Sequence, residues 1–99
     1  MTNKIHFTAL LTFAPDQKGE QHAPASSGYR AAIQFALNYD KVIGIHNFTD
    51  VDLVFPGDSV TAEITLINAE TLLDDLYEGL DFEFFEGERL AGQGVISKF

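Results

Sequence analysis

Three histidines, four serines, fifteen carboxylates and no cysteine are the main side chains here with ligating or reactive chemistry. The absence of cysteine removes disulfides, thiolate metal sites and thiol nucleophiles together. His6, His22 and His46 are too widely spaced for a His-x-x-x-His zinc motif on one helix face. His6 and His46 fall in alternating segments, where strand-surface positions are the simpler expectation, and His22 sits in a loop. Asp50-x-Asp52 and Asp74-Asp75 invite comparison with calcium sites or catalytic acid pairs. Neither has the twelve-residue loop of an EF-hand around it, and adjacent aspartates on most backbones point apart. Solvated surface is the expectation for both. Ser26, Ser27, Ser59 and Ser97 lie in no Gly-x-Ser-x-Gly elbow, so no serine nucleophile is indicated. No Gly-x-x-x-x-Gly-Lys-Ser/Thr loop exists to cradle a nucleoside triphosphate. Gly92-Gln93-Gly94 is a Gly-x-Gly with no third glycine and reads as close backbone packing. No catalytic constellation emerges, no cofactor is implied, and a non-enzymatic protein is expected.

The elements that must position these residues follow a period of two, which marks strands. Ile5 to Phe13 alternates, with Ile5, Phe7, Ala9, Leu11 and Phe13 on one face and His6, Thr8 and Thr12 on the other. Residues 14 to 27 are a loop rich in proline, glycine and serine. Tyr29 to Leu37 forms a second strand, Asn38 to Asp40 a turn, and Val42 to Phe48 a third strand in which Gly44 marks a bulge or a close approach. Phe55-Pro56-Gly57-Asp58 has the order of a type II turn. Val60 to Ile67 alternates most cleanly. Glu70 to Tyr77 breaks the pattern, and its leucines suit a short helical turn. A fifth strand holds Phe82 and Phe84, Glu86-Gly87-Glu88 is a hairpin turn, and Leu90 to Phe99 is the sixth strand. In that last strand Leu90, Gly92 and Gly94 share one parity. Six short strands in 99 residues, with an apolar fraction of 45% and nine phenylalanines, predict one all-β domain spanning residues 1–99.

Taken in order, several segments form a recognisable set. They are Phe55-Pro56-Gly57-Asp58-Ser59-Val60, then Glu78-Gly79-Leu80-Asp81-Phe82, then Glu86 through Ile96. Phe7-Thr8-Ala9, the loop with Gly19, His22 and Pro24, and Gly28-Tyr29-Arg30 agree from the first half. This set resembles domain III of elongation factor Tu, the last β-barrel of that translational GTPase, over about residues 5 to 99. The resemblance implies a closed six-stranded antiparallel β-barrel. It has no counterpart here for the family's GTP-binding domain or middle barrel, so no GTP binding by this chain is expected. In the family this barrel helps to bind the T-stem side of aminoacyl-tRNA, packs on the GTPase domain and touches the exchange factor. His22 and Gly87 fall where family members contact the tRNA backbone, and Tyr29 and Arg30 match the same motif. Gln21 replaces a usual arginine, Asn68 a usual lysine and Ala32 a usual glutamine. Two cations and an amide are thereby lost from a phosphate-reading surface, which weakens tRNA binding.

The charge balance bears on the choice of partner. Six Lys and Arg stand against fifteen Asp and Glu, a formal net charge of −9, whereas nucleic-acid binding draws on clustered cations. Such charge keeps a small protein in solution, or provides an acidic face for a basic partner. Eight of the fifteen acids lie between Glu70 and Glu88, which favours the second reading locally. The sequence has no signal-peptide pattern at its start and no apolar run of ~18 residues, so a cytoplasmic protein off the membrane is expected. Three expectations remain open. The first is a non-catalytic protein-binding module, with another protein or a second copy as partner. The second is a tRNA- or RNA-binding accessory factor using His22, Tyr29, Arg30 and Gly87. The third is a single domain of a longer factor.

Overall fold

A computed structural model describes residues 5–36, 40–69 and 74–99. Eight strands follow one another: β1 (Ile5–Phe13), β2 (Ala25–Ser26), β3 (Tyr29–Phe35), β4 (Val42–Phe48), β5 (Leu53–Val54), β6 (Ser59–Ile67), β7 (Asp81–Glu86) and β8 (Arg89–Lys98). Six of them close into an antiparallel barrel in the order β1-β6-β4-β3-β7-β8. The predicted all-β, six-stranded closed barrel is therefore the fold. β2 and β5 form a separate two-stranded ribbon, and β2 lies within the stretch of residues 14 to 27 expected as a loop. Each is two residues long, too short to show a period. Leu37 of the expected second strand, Asn38 and Tyr39 of the expected turn, and residues 70 to 73 of the expected helical turn lie outside the described residues; Asp74 and Asp75 sit in a short 3₁₀ turn. Among the described residues no helix is long and apolar enough to cross a membrane.

Alternation determines what the barrel encloses. Ile5, Phe7, Ala9, Leu11 and Phe13 of β1 and Val60, Ala62, Ile64 and Leu66 of β6 are buried, as their spacing predicts. The phenylalanines stack into two aromatic levels. Phe7 meets Phe35 at 6.1 Å and Phe82 at 6.0 Å between ring centroids, while Phe13 meets Phe48 at 6.1 Å and Phe84 at 5.0 Å. Most of these contacts are edge-to-face, the arrangement that the ring quadrupoles favour. Such bulk needs small partners. A Cβ on Gly94 would lie 2.6 Å from Phe82 Cζ, and one on Gly92 would lie 2.5 Å from Phe84 Cζ. Gly92 and Gly94 are thus sockets for the two rings directly opposite them, Phe84 and Phe82. Gly44 similarly makes room for Ile33, whose Cδ1 would be 2.5 Å from an added Cβ.

Two sequence expectations are corrected here. Leu90 does not share the parity of Gly92 and Gly94. A bulge lets Phe84 pair with Gly92 and Phe85 with Leu90, so Ala91 is the extra residue and turns inward while Leu90 faces out. His46 is not on the strand surface but fully buried, on the parity of Gly44 and Phe48.

Two turns hold the strands in register. Asp58 N–H donates to the Phe55 carbonyl at 3.0 Å, and Gly57 has φ of 88°, as a type II turn requires. Gly87 and Glu88 make a two-residue hairpin loop with φ of 62° at Gly87, the position where a II′ turn calls for glycine.

Candidate functional site

The long loop after β1, the start of β3 and the β7–β8 hairpin converge on a cleft of about 400 Å³. Its walls include His22, Tyr29, Arg30, Glu86 and Arg89, with Phe13 and Val54 among the apolar lining. Three of the four residues predicted as contacts, His22, Tyr29 and Arg30, therefore share one cleft. Gly87, the fourth, follows Glu86 at its rim.

Tyr29 lies half-buried against Phe13 and His46, and its hydroxyl donates to Glu86 Oε2 at 2.5 Å. Burial pushes the Tyr29 phenol well above its ordinary range, and the Glu86 carboxylate adds to the effect. Burial also works to raise Glu86, but the hydrogen bonds from Tyr29 and Arg89 outweigh it and hold that carboxyl below its usual value. Arg89 Nη2 donates to Glu86 Oε1 at 2.7 Å, across the hairpin. This Tyr29–Glu86–Arg89 chain fixes the cleft wall and neutralises one of its two arginines. The sequence held the signal for it, because residues flanking a two-residue turn face one another.

His22 is clamped by carboxylates. Its Nδ1 lies 2.5 Å from Asp16 Oδ1, and its Nε2 lies 4.0 Å from Glu20 Oε2. The hydrogen bond from His22 holds the Asp16 carboxyl below its usual range. Asp16, Glu20 and His22 are the one group of three such side chains among the described residues close enough to share a metal ion. Both ring nitrogens already face a carboxylate and the two acids are exposed, so the trio is accounted for as an electrostatic tie across the loop. Arg30 is exposed, and no carboxylate of the described residues pairs with it within 4.0 Å.

His46 lies beneath this cleft wall, with its ring 5.3 Å from Tyr29 and 5.5 Å from Phe84. Its Nδ1–H donates to the Tyr29 carbonyl at 3.3 Å, while Nε2 has no protein partner. Burial lowers its pKa to about 4, against weaker upward pulls from the Tyr29 and Gly44 carbonyls. His46 is thus a neutral core histidine.

The barrel's outer wall carries a feature of another kind. Reading the register across five strands, Ile67 faces Ile43, Ile43 faces Ala32, Ala32 faces Phe85 and Phe85 faces Leu90. All point away from the core. Ile43 and Leu90 are 44% and 43% exposed. At ~4.8 Å per strand the row runs ~19 Å across the wall. Ile45 widens it on one side, opposite Arg30, and Lys41 Nζ covers the Phe85 ring at 4.0 Å from its centroid. Single exposed apolar residues need no explanation, but a contiguous row does. Ala32 is its centre. Asn68, just beyond Ile67, has φ of 56°, a left-handed conformation that asparagine tolerates better than most side chains. Gln21 is exposed in the loop beside His22.

No protein-family model matches this chain. What the site can do therefore rests on its own geometry. That geometry comprises an apolar wall, an arginine with no carboxylate of the described residues within 4.0 Å, and a hydrogen-bonded polar rim. A larger open groove of about 860 Å³ on the outer faces of β1, β8, β7 and β3 contains none of the four predicted contact residues.

Proposed function

We propose that this chain is a non-catalytic interaction module that binds another protein through its outer wall, on a barrel resembling the C-terminal domain of elongation factor Tu. The observation that carries the reading is the apolar row centred on Ala32. The resemblance assigns Ala32, Asn68 and Gly87 to a surface that reads tRNA phosphates. That wall instead presents isoleucine, alanine, phenylalanine and leucine. Phosphate contacts draw on free cations, yet Arg89 is bound to Glu86 and His22 is held by Asp16. An apolar row flanked by a few charges is the anatomy of a protein interface core.

The second reading, a tRNA- or RNA-binding accessory factor, is favoured by Arg30, which stands beside Tyr29 and His22 in the cleft without a neutralising acid among the described residues. Two measurements separate the readings. Tagged protein should capture a specific protein from native lysate, and Ile43→Glu with Phe85→Glu should abolish capture while leaving the unfolding midpoint nearly unchanged, because surface substitutions usually shift stability by about 0.5 kcal/mol or less. Titration with tRNA at ~50 mM salt, where charges are least screened, should give no binding. Saturable tRNA binding lost in Arg30→Ala would instead establish the second reading. Empty pull-downs together with a strictly monomeric sedimentation profile would remove the first.

A further inference from the structure

The groove of about 860 Å³ on the outer faces of β3, β7, β8 and β1 is built from two adjoining cross-strand rows. In the first, Gln34 faces Glu83, Glu83 faces Gln93 and Gln93 faces Thr12. In the second, Ala36 N–H donates to the Asp81 carbonyl at 3.1 Å, Asp81 faces Val95 and Val95 faces Leu10. Each residue of one row is two positions from its counterpart in the other, so both rows share the solvent side of the sheet. Phe35, Phe82 and Gly94 lie between the rows with their side-chain directions inward, and their backbone forms the floor.

The groove is acidic on β7 and aliphatic on β8 and β1. Asp81 and Glu83 are exposed on one face of one strand, ~6.6 Å apart along it. No lysine or arginine of the described residues lines the groove, and neither acid forms an ion pair among the described residues. Like charges at that spacing repel, and a cation between them removes the repulsion. Beside Glu83, the exposed Gln93 side chain supplies a further carbonyl acceptor. Arginine suits this set better than lysine, because its planar fork donates to several acceptors at once. Across the strands from Asp81, Val95 is ~5 Å away and Leu10 ~10 Å, and Leu10 is 53% exposed. Residues i and i+2 of an extended chain lie ~6.6 Å apart on one face. An arginine over the β7 acids therefore sets an aliphatic side chain at i+2 over Val95 and Leu10. Nucleic acid and anionic membranes are repelled by the same carboxylates, and a second copy would bring −9 against −9.

We propose that this groove docks an extended basic segment of another protein, with an arginine seated between Asp81 and Glu83 and an aliphatic side chain two residues along on Val95 and Leu10. The proposal rests on reading the chain as a binding module and names the chemistry of its partner. The groove adjoins the outer-wall row, since Gln34 and Glu83 lie two residues from Ala32 and Phe85 on the same strands.

The test titrates the isotope-labelled full chain with a nine-residue peptide. Serine holds its even positions, and arginine and valine take turns at the odd ones. Amide shifts should concentrate on Leu10, Asp81, Glu83, Gln93 and Val95, and affinity should fall as salt rises. A peptide with glutamate for arginine should not bind, and one with serine for valine should bind more weakly. Asp81→Asn with Glu83→Gln should weaken binding about fivefold, in keeping with two exposed charge pairs, with the amide spectrum otherwise unchanged as evidence of an intact barrel. Asp52→Asn with Glu63→Gln removes the same charge elsewhere and should leave affinity unchanged. No shifts at millimolar peptide, shifts spread evenly over the acidic surface, or equal weakening in both double variants would overturn the proposal. So would calcium chloride alone reproducing the groove shifts, which would make the groove a cation site. Ile43→Glu, on the outer-wall row, should leave peptide binding untouched. If lysate capture is lost in Ile43→Glu but kept in Asp81→Asn with Glu83→Gln, the groove is wrong while the binding-module reading stands.

Discussion

At the scale of single residues, His46 is the clearest case of chemistry set by position. The ring is neutral because burial disfavours its charged form, and its pKa falls from 6.5 to about 4. The unfolded chain takes up a proton near pH 6.5, whereas the folded barrel resists until about pH 4. Below pH 6.5 the unfolded state therefore binds more protons, and stability falls with acidification through that window. Between pH 7 and pH 5 the loss from this residue should be about 2 kcal/mol. Urea unfolding at the two pH values measures it. In His46→Leu the pH dependence across this range should flatten. The variant starts about 1 kcal/mol lower at neutral pH, because the Tyr29 carbonyl loses its donor. An unchanged slope would mean that other groups control the acid transition. No sequence pattern distinguished His46 from a surface histidine. Its parity with Phe48 places it inside, but Gly44 two positions earlier has no side chain to mark that face as apolar.

At the scale of elements, the β7–β8 pair shows what sequence reading captured and what it missed. Strand positions in β1 and β6 were legible because large apolar residues alternate there without interruption. β8 was legible as a strand but not in its register, since the bulge at Ala91 reverses the parity of Leu90 and leaves no trace in residue types. The outer-wall row was hidden for a related reason. β4 places Ile43 and Ile45 outward and Gly44 and His46 inward, so its hydropathy alternates the wrong way round. Of the cleft, the loop and strand positions of His22, Tyr29 and Arg30 were readable, while the carboxylates beside them needed three-dimensional convergence. The glycine sockets give a sharp test. Gly94→Ala has side-chain atoms as its three nearest neighbours, among them Phe82 Cζ at 2.6 Å and Leu11 Cδ2 at 2.7 Å. It should cost about 1–3 kcal/mol, and Phe82→Leu should recover part of that in a double-mutant cycle. Gly92→Ala meets the Thr12 carbonyl oxygen at 2.5 Å as well as Phe84. Backbone cannot step aside, so Phe84→Leu should recover little. Equal recovery at both sites by denaturant unfolding would show that β1 shifts freely, contrary to this account.

At the scale of the whole molecule, topology and charge act against each other. β1 pairs with both β6 and β8, so the barrel closes only when the two ends of the described chain come together. That closure gathers most of a −9 charge onto a small body. The acids of the second half take outward positions on β7, as Asp81 and Glu83 do, or cluster in the turns around it. Among the described residues Arg89 pairs with Glu86, and His22 lies between Asp16 and Glu20. Salt has opposing effects on such a molecule. It weakens exposed pairs, each worth about 0–1 kcal/mol, and it screens the mutual repulsion of the unpaired acids. With so many more acids than pairs, screening should win. Raising sodium chloride from ~20 mM to ~300 mM should therefore move the urea midpoint upward, by about 1 kcal/mol in stability. A midpoint that fell would mean that the Asp16–His22 and Glu86–Arg89 ties matter more than the repulsion around them.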